Sequence, residues 1–518
     1  MKILFTLTIL LLFQFSFAQT WSDDVAQIVY NKCAQCHHTG GVGGFSLLTY
    51  PEANAYSSLL EAPITNEEMP PWPPENEYQS YTHDRSLTAS EKTTFLGWIT
   101  NGTPEGNPAN TPPPPVFTAG SILGNGDLEI QIPTYMSKAT STSDDYVCFA
   151  LPSNLSVDRI IKSVEIIPGN PAIVHHALIF LDPSGASTTD TIGGDCGGPN
   201  SVAAELVMGY TPGSSPMTLP ASSPLKLGIP FPANSQVLFN MHYPEGSYGE
   251  YDSTKVIFHF YPPGETGVRD VLTSRVLENW SFSLPANQIT DVNAIYPASG
   301  GLLTDMSLLS VFPHMHLLGE SMRVYGIEST MDTLKLINIP EWDFEWQDFY
   351  FYEYIQKAPL GTVLKLDATF DNTSANINNP NSPPINVGPG LNTNDEMCLV
   401  YMHYMLYQTG DELFNIDSLM NLSSASLIEK NLGNDFKVYP NPFTDEIKLY
   451  SDHLKPGDQI SVSIYDGQGR FIQNIIRSYQ METNVFEASW NGKDLKPGVY
   501  FLSINSNGNL SHQRIVKR

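Results

Sequence analysis

Between about residues 116 and 408 the sequence leaves room for little except β-structure. Its apolar residues come in short runs, often alternating with polar ones, and each run stops at Gly, Pro, Asn or Asp. Residues 128–133, 164–168, 172–181, 236–243, 255–261, 307–312, 321–325, 363–370 and 397–405 follow this rule. Alternation puts every second side chain on one face of a strand, and regular turn signals between such runs mark sandwiches or barrels. The stretch is too long for one sandwich of about 100 residues. It predicts two, over residues 118–264 and 265–410, joined where Pro and Gly cluster at 262–267. The 38 Gly, 40 Pro and only 15% charged residues suit turns better than long helices, and 41% hydrophobic residues can fill real cores. A net charge of −28 would repel phosphates, which excludes nucleic acid as a partner. From Asp435 onward the charges nearly balance, so a tail of different character is expected.

The first residues read differently. Lys2, an apolar run over 3–17 and Ala18 form a secretory signal peptide at 1–18, too short for a membrane span. No Cys follows it to carry a lipid, and no later run is long enough to cross a bilayer, so a secreted or cell-surface protein is expected. Trp21, Val25, Ile28 and Val29 have helical spacing and lead into Cys33-Ala34-Gln35-Cys36-His37. Cys-x-x-Cys-His is the attachment motif of c-type haem: two thiols add to the vinyl groups and His37 ligates iron. A redox Cys-x-x-Cys needs a βαβ setting that this segment lacks. Met69, on a Pro-stiffened loop, is the expected sixth ligand, with His83 as the alternative; His38 is expected to face solvent. Thr88 and Glu91 form a capping box ahead of Phe95, Leu96, Trp98 and Ile99. Residues 19–108 together resemble a small all-α cytochrome c domain. A Pro-rich, semi-rigid linker is expected at 109–117.

Histidines recur in the β-region. His314 and His316 flank Met315 and would point the same way on a strand. His175 and His176 are adjacent, so holding one metal requires a distortion of their strand or a shared edge; His242 lies in another run. Imidazole suits copper, and a thioether such as Met397 favours Cu(I). His259 and His403 are expected to be structural. Cys148 and Cys196 fall in the same sandwich of an exported chain and are expected to pair.

The stretches around Cys148, His175-His176-Ala177, Met241-His242-Tyr243, His314-Met315-His316-Leu317-Leu318-Gly319 and Glu396-Met397-Cys398 resemble, in order and spacing, the copper type II ascorbate-dependent monooxygenases. The resemblance implies two jelly-roll sandwiches facing a cleft. It implies one copper held by His175, His176 and His242 to store electrons. A second, held by His314, His316 and Met397, would activate O2, with Tyr401 near the substrate. The family pairs the cysteine at position 398; here Cys398 has no partner, so packing must hold the Met397 loop. Phe312 stands where peptide-amidating members carry the Arg that grips a carboxylate. An apolar, aromatic or amine-bearing small molecule is therefore the expected substrate.

After a linker at 411–434, residues 435–518 resemble the type A C-terminal sorting domain of the type IX secretion system. The fold expectation is mainly β: a small α domain, two sandwiches and a sandwich tail. The functional expectation is an exported monooxygenase with two coppers and haem c. It would hydroxylate a C–H bond of a small organic molecule with O2. Electrons would come from ascorbate or a redox protein, with the fused haem feeding the His175/His176/His242 copper. The type IX machinery is its expected partner. The rival expectation is a non-enzymatic haem- and copper-binding electron carrier or copper-handling protein.

Overall fold

The alternating runs form the expected sandwiches. The structure, a computed structural model, describes residues 19–420 and 436–518, apart from 116, 118–119, 142, 194–195, 452–454, 467–470, 482–484, 494, 497 and 507–508. The expected signal peptide at 1–18 and much of the expected linker at 411–434 lie outside the described residues. In the first sandwich one sheet runs Leu128–Gln131, Lys255–Phe260, Arg159–Ile167, Leu225–Phe231, Val268–Asp270. The other runs Asp145–Pro152, Gln236–Tyr243, His176–Asp182, Glu205–Tyr210. Val164, Ile179, Phe231, Phe239 and Phe258 are buried in its core. Cys148 and Cys196 are disulfide-bonded.

Val268–Asp270 still pairs with Leu225–Phe231, and Leu272–Glu278 opens the next sheet, so the chain crosses between sandwiches at Val271. The second sandwich stacks Leu272–Glu278, Leu399–Leu406, Met306–His314, Tyr350–Ala358 on Gln288–Tyr296, Val363–Asn372, Gly319–Ile327, Thr333–Ile339. Val311, Val324, Leu336, Leu366 and Phe370 fill it. One four-stranded sheet from each sandwich faces the other. Phe180, Leu206 and Leu238 pack there on Phe312 and Phe349. His403 crosses the same seam. Its Nε2 donates to the Val207 carbonyl at 3.2 Å and its Nδ1 lies 2.7 Å from Ser310 Oγ, a structural role as expected.

The N-terminal unit is helical. A turn at Trp21–Val25 leads into Ala26–Lys32, followed by Tyr50–Thr65 and Ala89–Thr100 around Trp21, Val29, Leu47, Phe95 and Trp98. Thr88 and Glu91 form the expected capping box. The helix Tyr50–Thr65 was not anticipated, although Thr49 and Glu52 form a second box at its start. The Pro-rich segment is less free than expected. Trp21 N–H donates to the Pro104 carbonyl and Ser22 N–H to that of Glu105, both at 2.9 Å, while Thr111 Oγ1 bonds Ser22 Oγ at 2.8 Å. The segment thus folds back on the first helix. His38 does not simply face solvent: its ring stacks on Phe117, centroids 3.9 Å apart.

What fixes this unit to the body is the irregular segment at 75–85. Thr82 N–H donates to the Phe351 carbonyl (2.8 Å), Glu353 N–H to that of Ser80 (3.0 Å) and Tyr81 Oη to that of Leu336 (2.9 Å). It adds one antiparallel bridge, Tyr81 opposite Tyr352, to the edge formed by Tyr350–Ala358. Arg85 reaches both sandwiches, donating to the Gly213 carbonyl at 3.1 Å and lying 3.6 Å from Asp348.

The tail is a separate sandwich. Lys437–Tyr439, Glu446–Ser451 and Phe486–Asn491 pack against Phe471–Gln480, Gln459–Asp466, Gly498–Ser506 and Asn509–Lys517 over Ile447, Leu449, Ile464, Leu502 and Ile515. Among the described residues no helix is long and apolar enough to cross a membrane.

Candidate metal centres

Three histidines converge in the first sandwich. The strand His176–Asp182 starts at His176, and His175 stands just outside it, its N–H on the His242 carbonyl at 3.0 Å. His175 and His176 thus both lie opposite His242, a departure from strand alternation that lets two adjacent histidines reach one point. His242 is paired with His176 across the strands. The Nδ1 atoms of His175, His176 and His242 lie 3.2, 3.0 and 3.3 Å apart. The centre of such a triangle is about 1.8 Å from each nitrogen, close to the ~2.0 Å of a metal–imidazole bond.

The outer nitrogens explain the orientation. His175 Nε2 is 2.8 Å from Glu345 Oε2, a residue of the other sandwich. The bond also holds the Glu345 carboxyl below its usual range. His242 Nε2 lies 3.3 Å from Asp144 Oδ2, an electrostatic neighbour too poorly aligned for a good hydrogen bond. A His175 that donates from Nε2 presents a bare Nδ1 lone pair to the centre. Burial pushes His176 well below its ordinary pKa and His242 down to about 4, so these rings stay neutral near pH 7, the state a metal requires. Tyr146 stacks on His242 with centroids 4.2 Å apart.

The second set is built differently. The strand Met306–His314 ends at His314, and His316 lies in the turn beyond it, so strand alternation does not carry the pair as expected. The rings stand 5.1 Å apart at 85°. His314 Nδ1 is 2.6 Å from Gln347 Oε1 and His316 Nδ1 is 3.0 Å from the Asp395 carbonyl. Both rings therefore donate from Nδ1 and present Nε2. Burial brings His314 down to about 3 and His316 to about 4.

Met397 and Tyr401 border the same cavity as His314 and His316. This space of about 560 Å³ between the sandwiches also meets His176 and Phe312. Phe344 stands between the two sets, its ring centroid 5.6 Å from that of His175 and 6.0 Å from that of His316.

One residue here was missed from sequence. Glu396 is fully buried and accepts the backbone N–H groups of Leu318 (2.6 Å), His316 (2.9 Å) and Met397 (3.2 Å). Burial raises it to about 8 despite those bonds. It ties the turn carrying His316 to the loop carrying Met397. Packing alone was expected to do this, because Cys398 is buried and unpaired. Glu345, Phe344 and Gln347, from one loop of the second sandwich, were missed as well.

In the N-terminal unit Cys33 and Cys36 are unpaired thiols. His37 Nδ1 donates to the Phe45 carbonyl at 3.3 Å and its ring packs on Phe45, which leaves Nε2 open. That arrangement fits an axial ligand. Met69 is 36% exposed, with its N–H on the Pro63 carbonyl. His83 lines a cavity of about 210 Å³ at the seam, together with Gln35 of the motif, Arg85 and Gly209. Gly213 has φ +82° and presses on the motif, where any Cβ would collide with Cys36 Sγ.

Residues 293–419 match the family "Copper type II ascorbate-dependent monooxygenase, C-terminal domain", and residues 437–518 match "Secretion system C-terminal sorting domain". The chain thus carries a domain of the copper type II monooxygenases, which supports a copper-dependent monooxygenase. The first match includes His314, His316, Met397 and Tyr401; the first sandwich lies outside it. The sorting domain indicates export through the type IX secretion system to the cell surface or beyond, with that machinery as a partner.

Solved structures offer weak likeness. Dimeric latent PorU from Porphyromonas gingivalis is 10% identical over 72% of this chain and 34% of its own, with a TM-score of 0.14. A calcium-binding mutant of Bacteroides uniformis β-glucuronidase 2 is 10% identical over 46% and 28%, with a TM-score of 0.12. This chain spans about a third of the first and less of the second, and at these scores neither carries an argument.

Proposed function

We propose that this protein is an exported two-copper monooxygenase that hydroxylates a C–H bond of a small organic molecule. The observation that carries the reading is that His176 of the first set meets the same inter-sandwich cavity as His314, His316 and Met397, with ring nitrogens of His175, His314 and His316 fixed by hydrogen bonds. His175, His176 and His242 would hold one copper, and His314, His316 and Met397 the other. Copper bound at these residues supplies electron storage and O2 activation. Overall, a substrate C–H, O2, two electrons and two protons give C–OH and water.

The chain's own residues do the rest. Gln347 and the Asp395 carbonyl aim the His314 and His316 rings, and Glu345 aims His175. Phe344 keeps the space between the sets apolar. Phe312 and Tyr401 line the place where a substrate reaches the His314 side. Cys33, Cys36 and His37 would hold haem c, with Met69 or His83 completing the iron. That group supplies one-electron transfer, and ascorbate or a redox protein serves as the outside reductant.

The test is oxygen uptake by the copper-loaded, reduced full chain against a panel of aliphatic and benzylic compounds under ¹⁸O2. One labelled oxygen per product, abolished in Met397→Ala, supports the reading. Copper reoxidation with no labelled product from any compound favours the electron-carrier alternative. The haem feed stands or falls separately. Rapid mixing of haem-reduced, copper(II)-loaded protein should oxidise the haem within a turnover.

A further inference from the structure

We propose that Arg275 is the substrate anchor of the inter-sandwich cavity, and that the molecule bound there carries a carboxylate on an apolar stem. The proposal deepens the monooxygenase reading and rests on it for the identity of the cavity. Arg275, Tyr401 and Phe312 lie side by side on three neighbouring strands: Tyr401 is in register with Arg275 on one side and with Phe312 on the other. All three line the cavity, and Arg275 is its one Lys or Arg among the described residues.

Arg275 is held from behind. Its Nε lies 2.7 Å from Glu278 Oε2, and the Glu278 carboxylate also takes the Trp280 indole N–H at 2.6 Å. The guanidinium carbon sits 5.8 Å from the Trp280 ring centroid. Glu278 does not line the cavity, whereas Arg275 and Trp280 do. With Nε on Glu278 and another N–H on the Tyr401 hydroxyl, the guanidinium keeps three of its five N–H groups for the cavity, beside that hydroxyl. A planar guanidinium edge flanked by a phenol is a bidentate receptor for a carboxylate, and the preset geometry reduces the entropy lost on binding. Phe312, Leu178, Phe180, Leu206 and Leu399 give the cavity apolar wall, and Glu205 is its one acidic side chain among the described residues. An acid head at Arg275 and an apolar stem along the apolar wall suit this lining. Phe312 therefore does not rule out an anionic substrate, as the sequence had suggested; the cation comes from the strand on the far side of Tyr401.

The experiment is calorimetric binding to the copper-loaded full chain, reduced and anaerobic so that no turnover occurs. The probes are benzoate, 3-phenylpropionate and octanoate, each beside its primary amide. At least one acid should bind about ten-fold tighter than its amide. Arg275→Gln should erase that preference, and Arg275→Lys should restore part of it, which a folding defect would not do. Three results overturn the proposal: equal affinity of every acid and amide, binding of no acid at all, or a preference that survives Arg275→Gln, as direct binding to metal would give. Because binding is read without turnover, failure here leaves labelled-oxygen incorporation to judge the monooxygenase reading on its own.

Discussion

Glu345 is the residue through which the second sandwich reaches into the first histidine set. Its bond to His175 Nε2 fixes the ring that offers Nδ1 to the centre. Carboxylates in this position raise ligand basicity, and their loss commonly costs about 10- to 100-fold in metal affinity. Glu345→Ala should weaken the first copper by that factor in a chelator competition while leaving the second unchanged. An equal loss at both would mean that Glu345 only holds the sandwiches together. His403 makes a different test. Burial brings it down to about 4, although the Val207 carbonyl pulls the other way. Near pH 7 it is neutral whether folded or unfolded. As pH falls below about 6.5 the unfolded chain takes up a proton that the folded chain refuses, and stability is lost until pH passes the folded value. The difference is worth about 3 kcal/mol at most. The metal-free chain should therefore melt at falling temperatures from pH 6.5 to 4, and His403→Gln should flatten that slope.

At the scale of elements, the second site depends on holding a turn to a loop far away in sequence. Glu396 does so with three backbone N–H groups. Glu396→Ala leaves those donors buried and bare, a loss of about 3 kcal/mol or more in denaturant unfolding. Copper should fall from two ions per chain to one, with the first site intact. Retention of both ions would show that packing suffices. The candidate ligand residues stood out in the sequence because His, Met and Cys are chemically distinctive and their spacing resembled a known pattern. The sandwiches were legible because alternation is a local signal. Glu396 was not: it stands next to Met397, but nothing local says that its oxygens meet Leu318 and His316. Glu345, Phe344 and Gln347 were hidden for the same reason, since their partners lie in other elements. The helix Tyr50–Thr65 was obscured by Pro51 and Pro63, although the first lies in the opening turn, where proline is tolerated.

At the scale of the molecule, the helical unit is held to the sandwiches by backbone pairing more than by its linker. Thr82→Pro removes the N–H that bonds Phe351 and blocks that pairing. Small-angle scattering should then show a larger radius of gyration with unchanged helix content; an unchanged radius would mean that Arg85 and Tyr81 suffice. Docking puts the Cys-x-x-Cys-His motif against Gly213, just beyond the strand Glu205–Tyr210, whose Gly209 and Tyr210 also border a small space between His176 and His314. The unit that would hold haem thus meets the body close to both histidine sets. The central claim remains the pair of unlike copper sites. X-ray absorption at the copper edge of the reduced full chain tests it most directly. Two coppers per chain are expected, with nitrogen ligands throughout and a sulfur neighbour on half of them that disappears in Met397→Ala. A single copper, or a spectrum with no sulfur or one that Met397→Ala leaves unchanged, would contradict it.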